Sequence, residues 1–159
     1  MEPILISTCL LGTSCRYDGG SKPVLSVEAL MGRYQLVPVC PEQLGGLPTP
    51  REPSERQGDR VVMRTGEDVT ERYQKGAEQA LHLARVFGCK KAVLKERSPS
   101  CGAGEIYDGT FSGKLTAGDG VTAALLKANG IEVFGESEIE TLLEEEAVIE
   151  EPGVFCVTS

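Results

Sequence analysis

The chain is poor in aromatic residues, at 5% with no tryptophan, and it has no long apolar run. The shortage of aromatics argues against an aromatic-rich β-sandwich and for an α/β domain. No stretch approaches the ~20 apolar residues that a bilayer-spanning helix requires. The opening Met1-Glu2-Pro3-Ile4-Leu5-Ile6 carries no basic leader and enters an apolar strand directly, which argues against a signal peptide. The expectation is a cytoplasmic chain with no membrane partner. Basic residues are missing from Ala128 onward, where nine glutamates stand without a Lys or Arg. The net charge of −8 is therefore a C-terminal property, since the first 127 residues carry 15 acids against 16 bases. A body so close to neutral lacks the basic footprint that broad nucleic-acid binding needs. The acidic end, from about residue 136, reads as a solvated helix face and a frayed terminus.

At 159 residues the chain is long enough to bury a core and is expected to form one domain, 1–159. An apolar strand is expected over residues 3–8, then a glycine-rich loop and a short helix VEALM capped by Ser26. A second strand over residues 35–40 contains Pro38, which weakens it because proline lacks a ladder donor. Residues 41–59 hold four prolines and read as a long irregular loop, functional or disordered. The clearest helix runs from Asp68 to Phe87, with Val69, Tyr73, Ala77, Ala80, Leu81, Ala84 and Phe87 on one face. Asp68 with Glu71 resembles a capping box, and Gly88 suits the position after the helix. Strands at 91–94 and 131–134 flank a helix at 119–129, and Ser137 with Glu140 opens a last helix. The predicted fold class is α/β: a single domain with a mostly parallel sheet and helices on both faces, a Rossmann-like three-layer arrangement.

Six cysteines exceed what structure alone requires, and a disulfide framework is not expected in a reducing compartment. Buried thiols, a redox pair or a metal site remain. Cys9 follows the first predicted strand, Cys40 ends the second, and Cys101 lies in the loop after the third. Loops at the carboxyl ends of parallel strands share one crevice, so three thiols arrive at a common rim. Their spacing matches neither zinc fingers nor a ferredoxin run. In "VCPEQ" an extended chain would point Cys40 and Glu42 the same way. In "RSPSCG", Ser98 and Pro99 favour a type I turn that sets a hydroxyl beside Cys101. Thiolates suit zinc and iron–sulfur clusters alike, and three ligands leave one position open.

Three stretches carry a resemblance: "STCLLGTSCRYDGG", "PVCPEQLGGLPTPR" and "RSPSCGAGEIYDGTFSGKLTAGDGVTAALL". In order and without large gaps, up to about Val133, the chain resembles the small bacterial desulfidases typified by thiouracil desulfidase, formerly a domain of unknown function. The resemblance implies a [4Fe-4S] cluster on Cys9, Cys40 and Cys101 with its fourth iron free. It implies non-redox desulfuration of a thiolated pyrimidine, thiouracil going to uracil and hydrogen sulfide by hydrolase- or lyase-type C–S cleavage. Glu42 and Ser98 fall on the family's catalytic acid and serine. Cys15 stands where members can carry valine and is left out of the ligand set.

Ser100 and Arg16 are the substrate-binding candidates, while Lys95 and Arg97 are expected at the crevice without an assignable target. Tyr107 and Phe111 could stack on a pyrimidine or simply pack. His82 falls on the polar face of the long helix, and Cys89 and Cys156 read as packing thiols. One alternative reading is the same chemistry on thiolated nucleosides or tRNA, disfavoured by the acidic charge. Another is a zinc-binding structural or regulatory module without turnover.

Overall fold

The computed structural model describes residues 1–12, 17–18 and 27–145. Along the chain run β1 (Glu2–Ser7), a 3-10 turn (Thr8–Leu11), α1 (Val27–Met31), β2 (Tyr34–Val39) and α2 (Pro41–Leu44). Then come β3 (Ser54–Gln57), β4 (Arg60–Met63), α3 (Thr70–Phe87), β5 (Lys91–Leu94), β6 (Glu105–Tyr107) and β7 (Leu115–Ala117). The chain continues through α4 (Val121–Ala128) and β8 (Glu132–Gly135) to a helical segment at 139–145.

The central sheet has the order β2-β1-β5-β8, and every pairing in it is parallel. Side chains alternate across it with a period of two. Leu5, Ala92 and Leu94 pack with Ala80, Leu81 and Ala84 of α3 and with Ala123 and Leu126 of α4. Ile4, Ile6 and Val93 pack on the other face with Leu30 of α1 and with Ile139 and Leu142. The expected three layers are present. A parallel sheet covered on both faces reads as near-continuous apolar strands, as PILIS and KAVL do. Pro38 is accommodated because β2 is an edge strand, where one missing donor leaves no central ladder bond unmade. From β1 the chain crosses to β2 on one side, and β5 returns on the other, so the strand order reverses at β1. Such a switch point opens a crevice at the carboxyl ends.

Several expectations need correction. Residues 41–59 are not one structureless loop, because they hold α2 and β3, and β3 pairs antiparallel with β4. A second hairpin joins β6 and β7. Helix α3 begins at Thr70, since Asp68 Oδ1 accepts both the amide (2.9 Å) and the hydroxyl (2.6 Å) of Thr70 and closes a turn before the helix. Helix α4 begins at Val121 after the Gly120 N-cap. In the last helical region Glu138 Oε1 accepts the amide of Gly135 at 2.9 Å, while the Ser137 hydroxyl donates to Glu96. Gly88 does close α3 in the left-handed conformation, φ 72°, but Phe87 before it is exposed at the helix end and does not share the buried face expected of it. Ser26, Cys156 and the acidic end beyond 145 lie outside the described residues. Among the described residues no helix is long and apolar enough to cross a membrane.

Candidate functional site

Cys40, Cys9 and Cys101 follow β2, β1 and β5, three neighbouring strands of the sheet. All three line one cavity of about 470 Å³, together with Glu42 and Ser98. Cys9 and Cys101 are buried and Cys40 is half-buried. Burial pushes the Cys101 thiol well above its ordinary pKa; the Ser7 hydroxyl opposes this, and the charges of Glu42, Cys9 and Cys40 add to it. The coupling places all four acidic groups in one electrostatic neighbourhood. Deprotonating three thiols there is unfavourable unless a cation shares the space, and thiolates are soft donors that favour zinc or iron–sulfur centres. Among the described residues no three His, Cys, Asp or Glu side chains are grouped to hold a single metal ion. Thiols distributed around a cavity suit a cluster, in which each cysteine takes its own iron. Three soft thiol donors around one cavity fit an iron–sulfur cluster.

Glu42 reaches the cavity by a different route from the extended one expected. Cys40 is extended (φ −126°, ψ 96°), but Pro41 at the first helical position starts α2, and Glu42 sits in its first turn. Its Oε1 accepts the Tyr73 phenol at 2.6 Å and lies 3.4 Å from both Nε and a terminal nitrogen of Arg51. Oε2 accepts no bond among the described residues. The Arg51 side chain is only 2% exposed. Burial, reinforced by the Glu42 charge, pushes the Tyr73 phenol far up, so it remains a neutral donor.

The chain turns here, but one residue more widely than the type I turn expected over 98–101: the Gly102 amide, not that of Cys101, donates to the Ser98 carbonyl at 2.9 Å. Ser98 Oγ accepts the amides of Ser100 (3.0 Å) and Cys101 (3.1 Å). With both lone pairs engaged, its hydroxyl hydrogen is left to donate. Gly120 backs this turn so closely that a Cβ there would lie 2.5 Å from the Ser100 carbonyl.

Ser100 does not line the cavity. It is fully buried and its hydroxyl pairs with Thr122 at 2.8 Å, which fastens the turn to α4. Arg16 and Cys15 lie outside the described residues. Lys95 and Arg97 do line the cavity, Lys95 Nζ 3.1 Å from Glu136 and Arg97 Nε 3.9 Å from Glu105. Tyr107 and Phe111 line it too. His82 is exposed and Cys89 lies in the core. Sequence reasoning missed Tyr73, Arg51, Ser7 and Glu55. Of these only Arg51 carried a signal, as the close of the stretch that contains Cys40 and Glu42.

The family model for 2-thiouracil desulfurase matches residues 4–138. A protein of Bacillus subtilis (strain 168), Uncharacterized protein YbbK, is 45% identical over 150 residues, covering 88% of this chain and 99% of its own length. Among solved structures, the [4Fe-4S]-dependent thiouracil desulfidase TudS is 48% identical, with a TM-score of 0.88 over 93% of this chain and 99% of that one. With cysteines, carboxylate and serine gathered at the switch point and this match across the whole sheet, the chain belongs to the 2-thiouracil desulfurase family.

Proposed function

We propose that this protein removes sulfur from a thiolated pyrimidine, converting thiouracil and water to uracil and hydrogen sulfide. The observation that carries the reading is the meeting of Cys9, Cys40 and Cys101 with Glu42 and Ser98 around one cavity. Cys9, Cys40 and Cys101 would hold a [4Fe-4S] cluster, the cofactor on which the solved relative depends. When bound with three protein ligands, the cluster supplies an exposed Lewis-acidic iron for a soft sulfur atom.

The chain's own groups supply the rest. Glu42, pinned through Oε1 by Tyr73 and Arg51, keeps Oε2 for a water molecule and acts as general base. The water oxygen bonds to the thione carbon as that carbon–sulfur bond breaks. Oxygen stays on the ring as the carbonyl, and sulfur leaves with both of the water's hydrogens, so no external electrons are needed. Ser98, able only to donate, offers its hydroxyl to charge that builds on the substrate during attack. The cavity of about 470 Å³ suits a free base more naturally than a polynucleotide.

The test is anaerobic purification with cluster reconstitution, then sulfide release from 2-thiouracil, 4-thiouracil and a thiolated tRNA. Brown protein that liberates sulfide and uracil from the free bases supports the reading. A colourless protein with stoichiometric zinc and no sulfide release would overturn it.

A further inference from the structure

Phe111 holds a left-handed backbone, φ 57°, which a residue with a Cβ adopts only under constraint. The constraint comes from Glu55 on β3. Its Oε1 accepts the amides of Gly109 (2.9 Å) and Phe111 (3.1 Å). Gln57 Nε2 donates to the Gly109 carbonyl at 2.9 Å, so the β3–β4 hairpin grips the β6–β7 hairpin at this loop. At Gly109 itself (φ 92°) a Cβ would lie 2.8 Å from the Arg56 carbonyl, which leaves no room for a side chain. The product of this clamp is an aromatic ring that lines the cavity half-buried, with the Arg64 guanidinium 5.8 Å from its centroid. A phenylalanine serving only to fill the core would not need a strained backbone at a cavity wall.

Glu55 has a second peculiarity. It is only 9% exposed and lines the same cavity, yet no cation pairs with it among the described residues. Its Oε2 accepts no hydrogen bond there either. On a residue that lines the cavity, that oxygen is left to accept, and a flat heterocycle with ring N–H groups offers a matching donor.

Taking the desulfidase reading for the substrate class, we propose that Phe111 and Glu55 form the subsite that recognises the pyrimidine ring. Phe111 offers a stacking face, and Glu55 Oε2 accepts a ring N–H. The two are linked, because the same carboxylate that reads the ring also fixes the aromatic residue beside it.

The test uses the cluster-loaded protein and two probes: 2-thiouracil for turnover, and uracil, which keeps the ring and its N–H groups, for calorimetric binding. Phe111→Leu keeps apolar bulk but loses the ring face, and should raise KM and weaken uracil binding about tenfold, with kcat nearly unchanged. Phe111→Tyr restores both. Glu55→Gln still offers an oxygen to the two loop amides but presents an NH₂ where an acceptor was, and gives a loss of similar direction. Phe111→Gly relaxes the left-handed backbone, so it folds at least as readily while binding uracil poorly. If Phe111→Leu and Glu55→Gln leave KM and uracil affinity at wild-type values, the subsite is overturned. It is also overturned if both lose kcat and thermal stability together without a change in KM. If wild-type protein releases no sulfide but binds uracil, and the variants lose that binding, the desulfidase reading falls and the subsite stands.

Discussion

Gly45 and Gly76 meet backbone to backbone where α2 crosses α3. A Cβ on Gly45 would overlap the Arg72 carbonyl, and one on Gly76 would overlap the carbonyl of Pro41. This contact brings the first turn of α2 against α3, so that Glu42 reaches Tyr73. Gly76→Ala ought to strengthen an isolated helix by about 1 kcal/mol. Here the clash opposes that gain, and overpacking costs about 1–3 kcal/mol. The expected outcome is a lower urea midpoint together with slower sulfide release, because relief requires α2 to move and carry Glu42 with it. A variant as stable and as fast as wild type would show that the crossing does not position the base.

Tyr73 and Arg51 hold Glu42 without touching substrate in this reading, so their removal acts through the carboxylate. Tyr73→Phe leaves the ring in the core and deletes the 2.6 Å bond to Oε1. The protein should fold and keep its cluster. A hydrogen bond to a charged group contributes about 1.5–3 kcal/mol, and a kcat loss of about tenfold corresponds to the lower end of that range. KM for thiouracil should stay near wild type. Steady-state kinetics on cluster-matched samples reads the split; equal changes in both constants would point to a general disturbance of the cavity instead.

The cysteine trio was legible because each thiol follows a short apolar run, and a parallel sheet gathers strand ends on one rim. Glu42 was legible by its neighbours though not by its geometry, since Pro41 starts a helix where an extended chain was expected. Tyr73 was not. On the 3.6-residue face of α3 it stands beside Ala77 and Ala80 like any core residue, and only the crossing of α2 turns its hydroxyl into a partner for Glu42. Glu55 was hidden for a similar reason. The strand SERQ shows no apolar alternation, and its burial comes from pairing with β4 and docking of the β6–β7 hairpin. Local pattern marks where chemistry-bearing residues leave the sheet. The contacts that orient them are long-range and leave no periodic trace.

Asp68 gives a pH prediction whose sign follows from its partners. The Thr70 hydroxyl and amide, with Arg60 at 2.8 Å, hold its carboxyl down to about 2 from an ordinary 3.8. A depressed folded-state value means the stabilisation is complete above 3.8 and is lost as pH falls through about 2. Asp68→Ala should therefore lower the urea midpoint near neutrality, and the gap to wild type should close on acidification through that window. The group is solvent-exposed, so added salt should shrink the gap as well. A gap that persists unchanged at pH 2 would place the effect in packing rather than in the ionised carboxylate.

The ligand assignment separates Cys9, Cys40 and Cys101 from Cys89. Cys89 packs in the core with Ala84 and Ala92, away from the cavity. Cys89→Ser buries a hydroxyl at a cost of about 1–3 kcal/mol but should leave about four irons per chain after reconstitution. Serine at position 9, 40 or 101 replaces a soft thiolate with a hard oxygen, so iron content and the brown absorbance should fall sharply in each case. Glu42→Gln and Ser98→Ala should sit in a third class, with full iron and almost no sulfide release. Iron analysis and the visible spectrum, taken before any assay, sort the six variants. If Cys101→Ser retains a wild-type cluster while Cys89→Ser loses it, the site is not at the strand switch point, and the roles given to Glu42 and Ser98 fall with it.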